Sequence, residues 1–369
     1  MQLPIQPPIS PMLSKAADAI PVGDEWHYEP KWDGVRCIVF RDGDDVVLAS
    51  RNEKPFNRYF PELIEPLKRS LPDRCVVDGE IVIASPIGEG LDFDSLLQRI
   101  HPAASRVQKL AEETPASMVV FDILAIDDRS LLDTPLVDRL IVLHEALGNA
   151  AAPIYLCPSS TNPAVAHEWF NRFEGAGLDG VIAKRLSGLY TPDKRTLIKV
   201  KHERTAECVV AGYRVHKDGN GVGSLLLGLH DQAGQLHHVG VTAAFTAKFR
   251  AELLAELEPL THDALINHPW ADWATAAAAV GAGAGAGGST TRLPGAVSRW
   301  NAGKDLNWVP LRVERVVEVH FGQLQNGRFR HGVQFQRWRP DRTVQSCAYD
   351  QLDVAAPVAF SELMSRGPA

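Results

Sequence analysis

The sequence has 369 residues, of which 45% are hydrophobic and 22% are charged, and its formal net charge is −7. These figures exclude wholesale disorder and predict two globular domains. No apolar run approaches the ~18 residues of a membrane span, and the first 20 residues, with four prolines, lack the pattern of a secretory signal. The five cysteines include no CxxC pair, which predicts a reduced cytoplasmic protein without disulfides or structural zinc.

The net charge conceals two basic windows. Residues 184–218 contain nine Lys or Arg against four Asp or Glu, and residues 289–342 contain ten against four. Their net charges of +5 and +6 leave −18 for the rest of the chain. The total charge argues against a nucleic-acid partner, whereas basic windows in an acidic chain indicate a local anion-binding face. The alternative is a pair of solvated surface strands.

The first part of the chain has the pattern of an α+β domain. Segments 36–40 and 46–50 have strand composition and flank turn residues 42–44, which predicts a hairpin. Val- and Ile-rich segments predict further strands, and segments with helical spacing predict helices. These are strands over 75–84, 117–126 and 181–183 and helices over 135–147 and 164–173. The expected fold is α+β, with helices flanking largely antiparallel sheets.

The chain after about residue 205 is mainly β. Strands are predicted over 208–215, 224–230, 237–241, 315–321 and 333–337, with a helix over 250–258. Five or so short strands in about 150 residues predict a small closed barrel such as an OB-fold.

Two glycine-rich segments need separate interpretation. Residues 217–223 contain three glycines, but a strand-like segment follows them instead of a helix. A hairpin turn is therefore favoured over a dinucleotide-binding loop, which needs a helix N-terminus for the pyrophosphate. Residues 274–288 are almost entirely Ala and Gly, which predicts a surface loop or linker.

The segment around Lys31 carries the clearest chemical signal. Lys31 precedes a predicted strand and is followed, after one residue, by Asp33 and Gly34. A lysine amine in such a place is a candidate nucleophile if neighbouring cations or burial lower its pKa. Taken alone, the pattern is equally typical of a surface lysine beside a tight turn.

An ordered set of motifs resembles the covalent nucleotidyltransferase superfamily, in particular the small two-domain ATP-dependent DNA ligases of bacteria. The motifs occur in the family's order and lie at residues 31–36, 50–52, 78–80, 121–124, 179–184, 198–201 and 337–342. The last range, residues 337–342, resembles the motif that the family numbers as its sixth, and we refer to it as the sixth motif. The resemblance covers most of the chain and implies an adenylation domain over 1–204, followed by an OB-fold domain over 205–369.

The resemblance also implies an activity. An ATP-dependent DNA ligase adenylylates its lysine, transfers AMP to the 5′-phosphate at a nick, and seals the nick by attack of the 3′-hydroxyl. An RNA ligase or an mRNA-capping guanylyltransferase of the same superfamily is the nearest alternative. A non-catalytic nucleic-acid-binding protein with the same fold is a third possibility, and the presence of Lys31, Glu80, Lys199 and Lys201 argues against it.

The implied catalytic residues are Lys31, Asp33, Lys199 and Lys201. Lys31 forms the phosphoramide bond to AMP. A strand places Lys199 and Lys201 on one face, where two cations repel each other unless an anion lies between them. This favours a phosphate site over an empty structural face, and the two lysines are expected to neutralise charge at the α-phosphate.

Further residues are implied in nucleotide binding. Glu29 helps to define the adenine pocket, Phe121 stacks on the base, and Glu80 accepts hydrogen bonds from the ribose. A buried core aromatic remains the alternative for Phe121, and an edge-strand carboxylate the alternative for Glu80. The full nucleotide-binding set is Glu29, Arg36, Arg51, Glu80, Phe121, Lys184, Lys199, Lys201, Arg339 and Arg342.

A metal site is implied as well. The chemistry calls for Mg²⁺, with Mn²⁺ as a substitute, because the leaving pyrophosphate needs a hard cation. The expected ligands are Asp179 and Glu80. The family usually has Glu where this chain has Asp179, so direct coordination and coordination through water both remain open.

The remaining expectations concern the second domain and the partners. In the family, the last domain closes over ATP so that Arg339, Asp341 and Arg342 orient the pyrophosphate, and it then turns another face to DNA. We expect the same hinge near residues 203–207 by analogy. The expected partner is nicked double-stranded DNA, and the expected state is a cytoplasmic monomer serving DNA repair, recombination or replication.

Overall fold

The structure is a computed structural model. It describes the whole chain except residues 86–89, 101–102, 173–177, 203, 275–306, 323, 326, 353–357 and 366–369. The chain divides into two compact units. Unit 1 comprises residues 1–202 and 354–369, and unit 2 comprises residues 203–353.

Most of unit 1 comes from the first 202 residues. Its strands are β1 (Leu13–Ala16), β2 (Trp26–Pro30), β3 (Val35–Asp42), β4 (Asp45–Ser50), β5 (Arg74–Val82), β6 (Ser117–Ile126), β7 (Arg129–Ser130), β8 (Ile154–Leu156), β9 (Val181–Arg185) and β10 (Arg195–Val200). Its helices in this stretch are α1 (Ile64–Ser70), α2 (Phe93–Arg99), α3 (Ala104–Glu113), α4 (Leu136–Leu147) and α5 (Pro163–Arg172), and a 3₁₀ turn spans Pro61–Leu63.

The described strands of unit 1 form two sheets. The larger has the order β4-β3-β5-β6-β7, with β8 parallel to β6, and the smaller has the order β1-β10-β9-β2. One face of the larger sheet packs on α1 and α4 through an apolar cluster that includes Leu67 and Leu143. Its other face packs on the smaller sheet, as in the cluster that joins Val119 to Val181. The central strands of the larger sheet are covered on both faces, so their sequences are nearly continuous apolar runs.

The predicted α+β architecture is confirmed. The strand predicted over 117–126 coincides with β6, and the hairpin predicted around residues 42–44 is β3 paired with β4. Helix α4 begins one residue later than predicted because Pro135 is its N-cap, with extended backbone. The sequence analysis did not predict β1, β2, or helices α1 to α3.

Unit 2 is built mainly from antiparallel strands. These are β11 (Arg204–Val215), β12 (Val222–His230), β13 (Leu236–Ala243), β14 (Val309–Phe321), β15 (Leu324–Gln325), β16 (Arg328–Phe329) and β17 (Gln334–Trp338). Helix α6 (Ala247–Leu257) follows β13, with Thr246 accepting a hydrogen bond from the Phe249 N–H as N-cap. Short 3₁₀ turns span Glu258–Thr261, Val344–Ser346 and Tyr349–Leu352.

The main sheet of unit 2 is antiparallel, and its described strands do not by themselves confirm the predicted closed barrel. Its strand order is β13-β12-β11-β14-β17, and β15 pairs with β16 in a separate hairpin. In the described part of the chain, β13 and β17 form no ladder with each other, and a single bridge joins Thr242 to Val333 beside them. The predicted loop at 274–288 lies outside the described residues except for Ala274.

The last helix, α7 (Phe360–Ser365), corrects the predicted domain boundary. The sequence analysis placed everything after residue 205 in the second domain, whereas residues 354–369 belong to unit 1. The physical reason is apolar packing, because Phe360 and Leu363 are buried in a cluster with Trp26 and Trp169.

Three further expectations concern cysteines, metals and membranes. All five cysteines are buried and free. Among the described residues, no group of three or more His, Cys, Asp or Glu side chains is arranged to hold a metal ion. None of the described helices combines the length and apolar character that a bilayer crossing requires.

Candidate active site

A cavity of about 200 Å³ opens in unit 1 against one face of the smaller sheet. Glu29 on β2 lies opposite Ile182 on β9, which in turn lies opposite Lys199 on β10. Because side chains alternate along a strand, Arg195, Leu197 and Lys199 share one face of β10, and all three line the cavity. Its full lining is Pro11, Met12, Leu13, Ser14, Glu29, Pro30, Lys31, Trp32, Arg36, Arg51, Glu80, Phe121, Ile182, Lys184, Arg195, Leu197 and Lys199.

Lys31 is held directly after the end of β2. Its backbone N–H donates to the carbonyl of Gly180 at 2.9 Å, and the N–H of Asp179 donates to the carbonyl of Lys31 at 2.9 Å. The Lys31 ammonium, Nζ, lies 2.7 Å from Asp179 Oδ2. The segment at 179–184 therefore fixes both the backbone and the amine of Lys31.

Two motif glycines are required by close backbone approaches. A Cβ on Gly34 would lie 2.3 Å from the carbonyl oxygen of Ile81, so only glycine lets this chain segment pass β5. Gly180 has φ +123°, and a Cβ there would lie 2.0 Å from the carbonyl oxygen of Val200. These glycines allow the backbone approaches beside Lys31 and Asp179, whose side chains pair with each other.

Asp179 is shared by two lysines. Its Oδ2 pairs with Lys201 as well as with Lys31. Burial would raise the pKa of Asp179, but the two ammonium groups outweigh burial and hold the pKa below its usual value. The carboxylate is therefore ionised, and one negative charge faces two positive ones.

Lys199 lines the cavity next to this pair. Burial, Lys201 and Lys31 together lower the pKa of Lys199. It pairs with no carboxylate in the part of the chain that the structure describes. Strand β10 ends at Val200, so Lys201 lies one residue beyond the strand that was predicted to carry both lysines.

The ring of Phe121 has two cations near it at another part of the cavity. The Arg36 guanidinium lies 4.5 Å from the ring centroid and the Lys184 ammonium 4.6 Å from it. Lys184 also pairs with Glu29 at 2.6 Å and donates to the Phe121 carbonyl at 3.3 Å. Burial opposes ionisation of Glu29, yet Lys184 and His27 lower its pKa, so the pair is ionic.

Arg36 is fixed by a residue that the sequence analysis did not select. Its guanidinium donates two hydrogen bonds, both 2.6 Å long, to the fully buried carboxylate of Asp78. The Tyr190 hydroxyl donates to Asp78 at 2.6 Å. Asp78 belongs to the motif at 78–80, so its place beside Glu80 was the available signal. A bidentate pair of this kind orients Arg36 toward the cavity.

Glu80, Arg51 and Asp33 have different positions. Glu80 lines the cavity, and burial raises its pKa to about 7 although the charges of Arg36 and Lys31 oppose the rise. Arg51 lines the cavity from an exposed turn after β4. Asp33 is not part of the cavity wall, but its charge acts on Glu80.

The sequence analysis missed one wall of the cavity. Residues 11–14 belong to this wall, and β1 runs parallel to β10 with Leu13 opposite Arg195. Arg195 donates to the Ser14 carbonyl at 3.0 Å. The contact joins segments far apart in sequence, so no local pattern could have indicated it.

The sixth motif lies in unit 2 and forms its own ion-pair network. Arg339 contacts three carboxylates, those of Glu207, Glu318 and Asp341, the last at 2.7 Å. Arg342 pairs with Glu207 at 2.6 Å. The predicted site residues Arg339, Asp341 and Arg342 are thus brought together with one another.

Asp179 and Glu80 are two carboxylates near Lys31 that can supply oxygen donors to a divalent metal. Mg²⁺ is commonly held by one or two carboxylates together with substrate phosphates and water. The two carboxylates fit this mode of binding.

The comparison with solved structures defines the fold. The fold matches a solved Lig E DNA ligase with a TM-score of 0.51 and 18% identity, covering 90% of this chain and all of the other. It matches the structure named Pmar-Lig_PreS3 with a TM-score of 0.57 and 16% identity, covering 90% of this chain and 68% of the other. The chain has a nucleotidyltransferase-type ligase fold.

Sequence comparisons identify the family. Residues 11–201 match the family model described as ATP dependent DNA ligase domain. DNA ligase C of Mycobacterium tuberculosis is 52% identical over 369 residues, with 99% of each chain covered. DNA ligase C2 of Mycolicibacterium smegmatis is 53% identical over 354 residues, with 96% of each covered. This chain belongs to the ATP-dependent DNA ligases.

The family assignment confirms the predicted activity. The protein is an enzyme that uses ATP to seal nicks in DNA. The comparisons do not favour the alternatives, an RNA ligase, a capping guanylyltransferase or a non-catalytic binding protein.

Proposed function

We propose that Lys31 is the nucleophile of this ligase and that the cavity around it binds ATP. The observation that carries the proposal is a cluster of three lysines with one carboxylate. Lys31 and Lys201 pair with Asp179, and Lys199, which lines the cavity, lies near enough for both ammonium groups to lower its pKa. Three cations around one anion favour the arrival of a phosphate group.

The first step forms a covalent lysyl-AMP. Lys31 Nζ loses a proton to solvent, and its electron pair forms a bond to the α-phosphorus of ATP. The bond between the α-phosphorus and the bridging oxygen breaks, and pyrophosphate leaves with the electron pair of that P–O bond. Lys199 and Lys201 stabilise the negative charge that develops on the α-phosphate oxygens.

The rest of the cavity orients the nucleotide. Phe121 stacks on the adenine, and the ionic pair of Glu29 and Lys184 defines the polar edge of the base pocket. Glu80 accepts hydrogen bonds from the ribose hydroxyls. Arg36 and Arg51 bind phosphate or ribose oxygens, and the two hydrogen bonds that Arg36 donates to Asp78 hold Arg36 in place. Asp33 supports the local charge balance around Lys31 and Glu80.

A divalent cation completes the site. Asp179 and Glu80 are the residues that would hold Mg²⁺, or Mn²⁺ in its place. Bound there, such an ion supplies charge neutralisation to the phosphates of ATP.

The later steps act on nicked double-stranded DNA. AMP passes from Lys31 to the 5′-phosphate, and the 3′-hydroxyl then displaces AMP to form the phosphodiester bond. In unit 2, which we propose to be an OB-fold domain, Arg339, Asp341 and Arg342 orient the leaving pyrophosphate. The basic windows bind the phosphate backbone of the duplex. We propose a cytoplasmic monomer that acts in DNA repair, recombination or replication.

The decisive experiment is covalent labelling. With Mg²⁺ and α-labelled ATP, the wild-type enzyme and a Lys15→Ala control should carry label on a denaturing gel, and Lys31→Ala should carry none. Lys15 is an exposed lysine on β1 outside the cavity wall. Label that persists in Lys31→Ala, or label from GTP alone, would contradict the proposal.

Sealing assays test whether the nicked substrate is DNA or RNA. Nicked DNA should be sealed and nicked RNA should not. Affinity for the nick should fall steeply with salt, because each phosphate contact releases a counterion. Affinity independent of salt would show that the basic windows do not bind the duplex.

A further inference from the structure

The residue after the proposed nucleophile links the cavity to the far end of the chain. Trp32 lines the cavity and is only 5% exposed. Its indole N–H donates to Cys157 Sγ at 3.2 Å. Its ring meets Phe360 of α7 edge to face, with centroids 6.1 Å apart and planes at 72°. The cavity wall at Trp32 is therefore supported by a residue from the last ten of the chain.

Helix α7 is anchored in unit 1 by more than this contact. Phe360 also meets Tyr155 edge to face, with a centroid distance of 5.3 Å. Leu363 is buried in the same apolar cluster as Trp32 and Trp169. On its outer side, the Glu362 carboxylate lies 3.2 Å from Arg172 Nη2. Phe360 thus has a fixed position from which to support Trp32.

We propose that Phe360 is a positioning residue for lysine adenylylation, acting through Trp32 on Lys31. This inference rests on the proposed role of Lys31 as nucleophile. A smaller side chain at 360 leaves space beside the indole, because packed interiors relax only partly into a void. The Trp32 backbone is continuous with that of Lys31, so movement of the ring displaces the amine. A displacement of about 1 Å at a reacting group costs on the order of 100-fold in rate.

The distinguishing measurement compares two chemical steps. Lys31 Nζ reacts in the formation of lysyl-AMP. It does not react when the enzyme seals a nick whose 5′-phosphate already carries AMP, because there the 3′-hydroxyl is the nucleophile. A positioning role for Phe360 therefore affects the first step, whereas loss of folded protein affects both steps equally.

The test uses the full chain with three substitutions. Phe360→Ala should lower the single-turnover rate of lysyl-AMP formation by about ten- to 100-fold, and should lower sealing of the pre-adenylylated nick by less than about threefold. Phe360→Leu, which keeps most of the apolar volume, should stay within about threefold of wild type in both steps. Glu362→Gln, which removes the ion pair to Arg172 on the outer side of α7, should leave both rates unchanged.

Thermal unfolding of each variant accompanies the rates, and Phe360→Val replaces Phe360→Ala if the alanine variant does not fold. Equal losses in both steps, or no loss in the first step, would overturn the inference. If the wild-type enzyme itself formed no label on Lys31, the proposed function would fail instead. If wild type and Phe360→Ala labelled equally fast, only the inference about Phe360 would fail.

Discussion

The cations of the cavity and the arginines of the sixth motif differ in how many carboxylates they meet. In unit 1, Lys31 and Lys201 share Asp179. In unit 2, Arg339 alone contacts Glu207, Glu318 and Asp341. The cavity has more cations than anions, whereas the sixth motif has its charge fully matched within its own unit.

The difference shows which group is ready for an anionic substrate. A phosphate that enters the cavity reduces the repulsion between the lysines. Phosphate binding therefore stabilises the same arrangement of lysines that the folded protein has. A phosphate that binds Arg339 must first displace carboxylates, and this exchange reduces the net gain. We therefore expect cavity substitutions to have large kinetic effects and substitutions around the sixth motif to have smaller ones.

The largest effect is expected at the cavity cations. Lys199→Met should lower the single-turnover rate of lysyl-AMP formation by about 100- to 1,000-fold, because it removes a preorganised charge at the α-phosphate. Lys194→Met, at an exposed position just before β10, is the matched control and should retain the wild-type rate. A loss of less than about threefold in Lys199→Met would show that the cavity does not depend on this cation.

The next largest effect is expected at the shared carboxylate. Asp179→Asn should slow lysyl-AMP formation by tens of fold, because Lys31 and Lys201 lose the anion that orients them. Asp179→Glu introduces the residue usual in this family, and its rate of lysyl-AMP formation should remain within about threefold of the wild-type rate. Single-turnover labelling measures these rates. Equal losses in both variants would show that the length of this side chain matters as much as its charge.

Glu80 is expected to have an intermediate effect, which is on the stability of the enzyme and depends on pH. Its folded pKa of about 7 lies above the ordinary 4.5, so its contribution to stability is fully present below pH 4.5 and is lost as the pH rises through about 7. Glu80→Gln has a neutral side chain at every pH and does not lose this contribution. The unfolding free energy of Glu80→Gln minus that of wild type should therefore rise by on the order of 1–2 kcal/mol from about pH 5 to pH 8.

Denaturant titrations without nucleotide or divalent cation measure this difference. Glu112→Gln, at an exposed position on α3, is the control and should show no such trend with pH. A Glu80→Gln difference that stays constant across this range would show that Glu80 is already ionised in the folded enzyme at low pH.

The smallest effect is expected at the sixth motif. Glu207→Gln removes a carboxylate that pairs with both Arg339 and Arg342. The arginines then exchange partners more easily, and the rate of lysyl-AMP formation at low ATP should rise by about two- to fivefold. Glu314→Gln, which affects only an exposed pair with Arg312, should have no effect. A decrease in Glu207→Gln would mean that the network holds the arginines in their active position.

Much of unit 1 could be predicted because its local pattern and its long-range packing agree. Strand β6 is a mainly apolar run that only Asp122 interrupts after Ser117, with turn residues after it, and the structure gives it the predicted bounds. Strand β2 was not predicted because its five residues include His27, Glu29 and Pro30, which are not typical of a buried strand. All five residues are nevertheless buried. Burial of such residues depends on partners such as Lys184, which follow about 150 residues later.

The site was predictable in its motif residues and not in its supporting residues. Lys31, Glu29, Glu80, Phe121, Lys184 and Lys199 all line the cavity. Tyr190, which donates to Asp78, and Phe360, which supports Trp32, act through contacts between distant segments. Such contacts leave no periodic or local signal in a single sequence.

The parallel pairing of β1 with β10 has a consequence for folding kinetics. Leu13 and Arg195 are register partners and both line the cavity, so this wall exists only after the two ends of the 202-residue segment have met. Pairings of such long sequence separation form slowly, because the entropy of loop closure is lost before the contact is gained. During refolding, the capacity to bind ATP should therefore appear after most of the β3–β5 ladder has formed.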